Sequence, residues 1–306
     1  MSKIAFIYPG QGAQKAGMGA DFYENSEIAR YIFDQAGEEL DLDMKELCFE
    51  ENDRLDLTEY TQAAMVTTCL AMTRAVESMG LHADMTAGLS LGEYCAIAVA
   101  GGMCDLDAIR TVRSRGIFME HAAPEGSGAM SAVLGMDAAV IEDVLNGREG
   151  VSIANYNCPG QIVITGEAAA VAEAGTALKE AGARRVLPLK VSGPFHSPMM
   201  RPAGEELAKV FARVSMNPLK IPYVANINAE VITDCGRIEG LLVEQVSGSV
   251  RWQQSVETMI REGVDTFVEI GPGKTLTGFL RKIDKNVKAY HIGSWEEAVQ
   301  VCEELK

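Results

Sequence analysis

Short apolar runs alternate with long stretches of helical periodicity, and this alternation constrains the fold more than any other feature of the chain. The runs are KIAFIYPG (3–10), MTAG (85–88), IPYVANIN (221–228), DTFVEIG (265–271) and KAYHIGS (288–294). Between the first two, residues 24–49 read as one helix with Ile28, Ile32, Ala36 and Leu40 at helical spacing. Residues 58–80 read as a second, buried helix with Thr58 or Thr61 as its cap and Gly80 as its stop. Strands separated by helices pair in parallel, with the helices covering the sheet.

The middle of the chain has a different order. GAMSAVLGM (128–136) reads as a strand, DAAVIEDVLNG (137–147) as a helix opened by an Asp137 cap, and residues 151–166 as a hairpin around Cys158-Pro159-Gly160. A helix over 167–182 and a strand in ARRVLPLKVS (183–192) complete a βαββαβ, ferredoxin-like unit. The expected organisation is therefore α/β: a parallel-sheet domain from residues 1–126 and 192–306, with a ferredoxin-like insert over 127–191. No linker separates the two parts, so they should meet in a cleft.

Composition narrows the function. A net charge of −16 over 306 residues argues against nucleic acid, whose binding needs a cationic surface, while leaving room for anionic ligands held by local cations. No apolar run reaches the length that spans a bilayer. MSKIAFIYPGQG passes into a strand after one lysine, with no apolar core or cleavage site of a signal peptide. Seven cysteines without a C-x-x-C pair read as reduced thiols of a cytoplasmic protein. Four histidines, none spaced H-x-x-x-H, offer little for a metal, and none is expected.

Gly88-Leu89-Ser90-Leu91-Gly92 fits G-x-S-x-G, a serine held in a strained strand-to-helix turn. Small neighbours are required because the turn is tight, and the helix behind favours the negative charge that develops there. A serine nucleophile needs a base. The candidates are His82, His121, His196 and His291. His196, in VSGPFHSPMM, follows a strand and lies between Pro194 and Pro198, where side chains act in parallel-sheet enzymes, yet local pattern alone leaves the other three open. YPGQGAQKAG and GPGKT resemble nucleotide loops but lack the required glycines, having Lys15 and Val268 at those positions. Both remain glycine-rich turns expected to line the same cleft. Arg110, Arg113 and Arg115 share one helix, and local pattern favours a solvated cationic face over a carboxylate-binding role.

Taken in order, YPGQGAQ (8–14), YTQAA (60–64), GLSLGEY (88–94), RGIFM (115–119), PEGSGAM (124–130), NYNCPGQIVITG (155–166), FHSPMM (195–200), VRW (250–252) and EIGPGKTLTGF (269–279) run the length of the chain. Jointly they resemble malonyl-CoA:acyl carrier protein transacylases, the acyltransferases of fatty-acid and polyketide synthesis. The resemblance implies an α/β-hydrolase-like domain with a ferredoxin-like insert. It also implies Ser90 as nucleophile, His196 as base, an oxyanion hole from the Gln11 and Leu91 amides, and Arg115 on the malonyl carboxylate. The Gln245 carbonyl would orient the histidine, with Gln62, Asn155, Asn157 and Phe195 around the cleft. Leu91 and Phe195 resemble the malonyl-selective members. Two positions depart from the family: Leu89 stands where histidine is usual, which implies looser acyl selectivity, and Tyr8 replaces phenylalanine.

The activity implied is transfer of malonyl from malonyl-CoA to the phosphopantetheine thiol of acyl carrier protein by a monomer, with no permanently bound cofactor. Arg184, Arg185, Lys190 and Arg201 would form a local docking patch or remain scattered solvated charges. The alternatives are service to a polyketide assembly line, a serine esterase or thioesterase, and a non-catalytic carrier-binding module.

Overall fold

The computed structural model describes residues 2–305. Among them, ten strands form two sheets. The larger sheet contains β1 (Ile4–Tyr8), β2 (Met85–Gly88), β7 (Tyr223–Val224), β8 (Val231–Ile232), β9 (Thr266–Ile270) and β10 (Lys288–Ile292), in the order β10-β9-β1-β2-β7-β8. Every pairing is parallel except the β7–β8 edge hairpin. The second sheet contains β3 (Gly128–Leu134), β4 (Val151–Cys158), β5 (Gln161–Glu167) and β6 (Arg185–Pro188), antiparallel throughout, in the order β4-β5-β3-β6. With helices Ala138–Leu145 and Ala168–Glu180 between its strands, this is the βαββαβ arrangement in its ferredoxin-like strand order.

The central strands are mostly apolar on both sides because helices cover both faces of the sheet, and the buried Glu269 of β9 is satisfied by the Leu276 and Thr277 amides and the Thr277 hydroxyl. Ala5, Phe6, Ile7 and Tyr8 of β1 are wholly buried, and so are Phe267, Val268 and Ile270 of β9. Fully burying a side chain of this kind contributes roughly 1.5–3 kcal/mol. Helix Thr58–Ser78 is sunk in the core along nearly its whole length, and helix Asp105–His121 packs along it.

The two sheets are joined as well as touching. Asn155 of β4 bridges to Val250, with Tyr156 N donating to Val250 O at 2.9 Å and Val250 N to Ala154 O at 2.7 Å. The edge of the small sheet is thereby fixed against the segment that follows helix Ile238–Ser247.

Several local expectations need correction. Residues 24–49 are not one helix: helices Ala20–Asn25, Glu27–Leu40 and Met44–Phe49 are separated by Ser26 and by Asp41, which takes a left-handed φ of 52°. The buried stripe of Glu27–Leu40 is Ala29, Ile32, Phe33 and Ala36, whereas Ile28 is exposed. Neither Thr58 nor Thr61 caps its helix, whose N-cap is Leu57. The Thr61 hydroxyl donates instead to Leu55 O and Leu57 O, and the Thr58 hydroxyl joins Gln11 and Ser192. Asp137 occupies its N-cap position without a side-chain capping bond.

Candidate active site

Four adjacent parallel strands, β9, β1, β2 and β7, deliver their carboxyl ends to one edge of the sheet, where open α/β sheets bind ligands. After β1 comes the turn with Gln11, after β2 the elbow with Ser90, after β7 Asn226, and after β9 the turn leading to Thr275. A cavity of about 250 Å³ opens at this edge, lined by Gln11, Ser90, Leu91, Arg115 and His196 among others. Both glycine-rich turns line it, through Gly10, Gly12 and Thr275, as expected of them.

Ser90 sits between strand and helix with φ 52°, a left-handed conformation that costs a serine roughly 1–2 kcal/mol. Sterics demand both flanking glycines. A Cβ on Gly88 would collide with the Gly92 carbonyl, and one on Gly92 with the carbonyl of Tyr8. Two amide side chains hold the strained residue from either side: Ser90 N donates to Asn226 Oδ1 at 2.6 Å, and Gln245 Nε2 donates to Ser90 O at 2.8 Å.

His196 comes from the loop after the small sheet, also with a positive φ, 60°, and is 5% exposed. Its Nδ1 lies 2.8 Å from Gln245 O and 3.2 Å from Gly248 O. Carbonyl oxygens only accept, so Nδ1 carries the proton and Nε2 presents a lone pair. That lone pair is 2.7 Å from Ser90 Oγ, which therefore donates to it. Burial, and then the Arg115 cation, push the imidazole down to about 4.

Arg115 is 1% exposed, in contrast to its helix neighbours. Arg110 pairs at the surface with Glu39 and Asp107; Arg113 pairs with Glu59 and lies over the Tyr60 ring. An α-helix turns about 100° per residue, so Arg115 projects roughly opposite Arg113 and into the cavity. It donates to Gln62 Oε1 at 2.8 Å, Gln245 Oε1 at 3.0 Å and Ser90 Oγ at 3.1 Å. All three acceptors are neutral, leaving a buried fork able to take a carboxylate. The solvated-face reading holds for Arg110; Arg113 is half-buried against Glu59 and Tyr60, and Arg115 is wholly buried in the site.

The remaining expected residues converge on the same place. Gln11, Leu91, Asn155, Asn157 and Phe195 line the cavity, as does Gln62. Among the described residues, neither the Gln11 nor the Leu91 backbone N–H donates within the protein. The other histidines stay away from Ser90: His82 precedes β2, His121 ends its helix, and His291 in β10 lies beside Gly271 O and Glu297. Two participants were not anticipated, Asn226 and the wholly buried Glu93. Glu93 could have been noticed as the one charged residue in the otherwise apolar helix Gly92–Val99.

An ester can form on Ser90, with proton transfer to His196 and a cation beside both, so fold and site define an α/β enzyme of covalent acyl transfer. Comparison with known proteins agrees. Residues 5–300 match the family model described as acyl transferase domain, and the chain belongs to that family. A Bacillus subtilis protein named malonyl CoA-acyl carrier protein transacylase is 44% identical over 311 residues, spanning 100% of this chain and 98% of the relative. One of the same name from Staphylococcus aureus is 41% identical, covering 97% of each. The crystal structure of the Clostridium perfringens transacylase superposes with a TM-score of 0.96 at 40% identity, over 99% of this chain and 97% of that one. A malonyl-transacylase solved in complex with its type II PKS acyl-carrier protein superposes at 0.94 and 36% identity, over 99% and 100%.

Proposed function

We propose that this enzyme transfers the malonyl group from malonyl-CoA to the phosphopantetheine thiol of an acyl carrier protein, in fatty-acid synthesis. The observation that carries the reading is the 2.7 Å contact between Ser90 Oγ and the unprotonated nitrogen of His196, beside a buried guanidinium. The malonyl transacylase names of relatives at 40–44% identity supply the substrate class.

In the first half-reaction His196 Nε2 takes the Ser90 proton as Oγ adds to the thioester carbonyl. The oxyanion lies between the Gln11 and Leu91 amides, and the C–S bond breaks to release CoA with that proton. In the second, the carrier thiol gives its proton to His196 and attacks the malonyl-serine ester, and Ser90 leaves with the proton returned. Arg115 holds the free carboxylate of the malonyl group and fixes its pose. The chemistry calls for no bound cofactor, and we place the protein in the cytoplasm, where its cysteine thiols would stay reduced.

An esterase would place an ionised carboxylate on Nδ1, the position held here by the Gln245 and Gly248 carbonyls. For carrier docking we propose the exposed Arg184, Arg185 and Lys190 of the insert together with Arg201, which opens the helix Arg201–Phe211 after the histidine loop. Nearby Leu189 and Val191 are 38% and 37% exposed and also line the cavity, giving its mouth an apolar rim. We take the insert as residues 127–191, with the rest of the chain as the catalytic domain. Incubation with malonyl-CoA, with and without carrier protein, tests the function: malonyl-carrier is the expected product, and malonate formed equally in both would refute it.

A further inference from the structure

Glu93 is the third residue after the nucleophile on the elbow, and the mechanism above gives it no task. It is 0% exposed in the first turn of helix Gly92–Val99. Its Oε2 accepts two hydrogen bonds, from Gln245 Nε2 at 2.8 Å and from the Asn226 backbone N at 3.2 Å. Those donors belong to the two residues whose side chains hold the Ser90 backbone. Gln245 has a second role, since its Oε1 accepts from Arg115. Two oxygens that only accept, Glu93 Oε2 and Ser90 O, together fix which end of the Gln245 amide faces them, and so turn Oε1 toward the guanidinium.

We propose that Glu93 is a positioning residue for acyl selection, orienting the Gln245 amide so that Arg115 is held ready for the substrate carboxylate. No substrate reaches Glu93 itself. Its Oε1 has no partner among the described residues, and burial pushes the carboxyl up to about 8, which favours the neutral acid, while Oε2 is the oxygen that accepts from Gln245 and Asn226. A neutral glutamine can present the same accepting oxygen, which alanine cannot.

The inference rests on the malonyl-transfer reading, and the test separates the two. Single-turnover acylation is measured with malonyl-CoA and acetyl-CoA for the wild type, Glu93→Ala and Glu93→Gln, with thermal melts alongside. A wild type that takes up no malonyl group sinks the functional reading itself. Given an active wild type, the malonyl-to-acetyl ratio in Glu93→Ala falls roughly tenfold, the equivalent of one charged hydrogen bond, and Glu93→Gln restores most of it. A merely structural role lowers the amount of folded enzyme and leaves the ratio unchanged, and that result would overturn the proposal. A ratio in Glu93→Gln as low as in Glu93→Ala would also overturn it, by assigning the effect to charge. Should Glu93→Ala not fold, Glu93→Asp withdraws the same oxygen from Gln245 and must show the same fall; an unchanged ratio there counts against the proposal.

Discussion

The position of the His196 imidazole leads to a prediction about acidity. Burial and the adjacent guanidinium lower it from 6.5 to about 4, so it remains an unprotonated base well into acid. At pH 5.5 an imidazole at the ordinary value would be only about one-tenth neutral, whereas one at about 4 is roughly 97% neutral. The rate of Ser90 acylation, followed by rapid quench and intact mass as kcat/KM, is therefore expected to stay within about 10% of its plateau from pH 7 to 5.5 and to fall only near pH 4. Stability is a poorer reporter. The lowered His196 makes stability fall as pH drops from 6.5 toward 4, because the unfolded chain then binds a proton that the folded one refuses. Glu93, raised from 4.5 to about 8, works in the opposite sense: its folded form keeps a proton the unfolded chain has lost, so stability falls as pH rises through that window. The two slopes cancel between about pH 4.5 and 6.5, which leaves the rate as the clean readout. In Arg115→Ala the acid limb should move up toward 6.5, because one of the two lowering causes is gone while burial remains. A wild-type limb centred at pH 6.5 or above would refute the reasoning.

Three further outcomes follow from the same geometry. Arg115→Ala should cut malonyl acylation by about 10²–10³-fold relative to acetyl, from two charged hydrogen bonds at about 1.5–3 kcal/mol each less the neutral contacts they replace; equal loss of both substrates would remove Arg115 from the carboxylate. Gly92→Ala drives a methyl group into the Tyr8 carbonyl, and should cost about 3 kcal/mol or more in urea melts and abolish acylation; a stable, active variant would contradict the elbow geometry. Charge reversal of Arg184, Arg185, Lys190 and Arg201 together should raise KM for the carrier protein while leaving acylation by malonyl-CoA unchanged; an unaltered KM would discard the patch.

Much of this was legible in the sequence because periodicity reports burial. The strands of the parallel sheet read as apolar runs, and the βαββαβ order emerged from pattern alone. Other features carry no periodic signal. The two-residue β8 is too short to show one and was not anticipated, whereas the equally short β7 lies inside the apolar run 221–228. Asp41 broke an expected helix because aspartate tolerates the left-handed conformation without advertising it. At the site, Ser90 was marked by its glycines, but Arg115 was not separable by composition from the solvated arginines on its helix. Only the roughly 200° between positions 113 and 115 distinguishes them. Asn226 bonds the Ser90 backbone, and Glu93 bonds Asn226 and Gln245, each across more than a hundred residues of chain, and no local rule exposes such pairings.

The claim that everything else serves is that the Ser90 hydroxyl, activated by His196, takes the malonyl group covalently. Intact-mass spectrometry after seconds of exposure to malonyl-CoA tests it directly. The wild type should gain one malonyl unit, lost again on adding carrier protein thiol, and Ser90→Ala should gain nothing. An adduct of equal size on Ser90→Ala, or none on a folded wild type, would contradict the account.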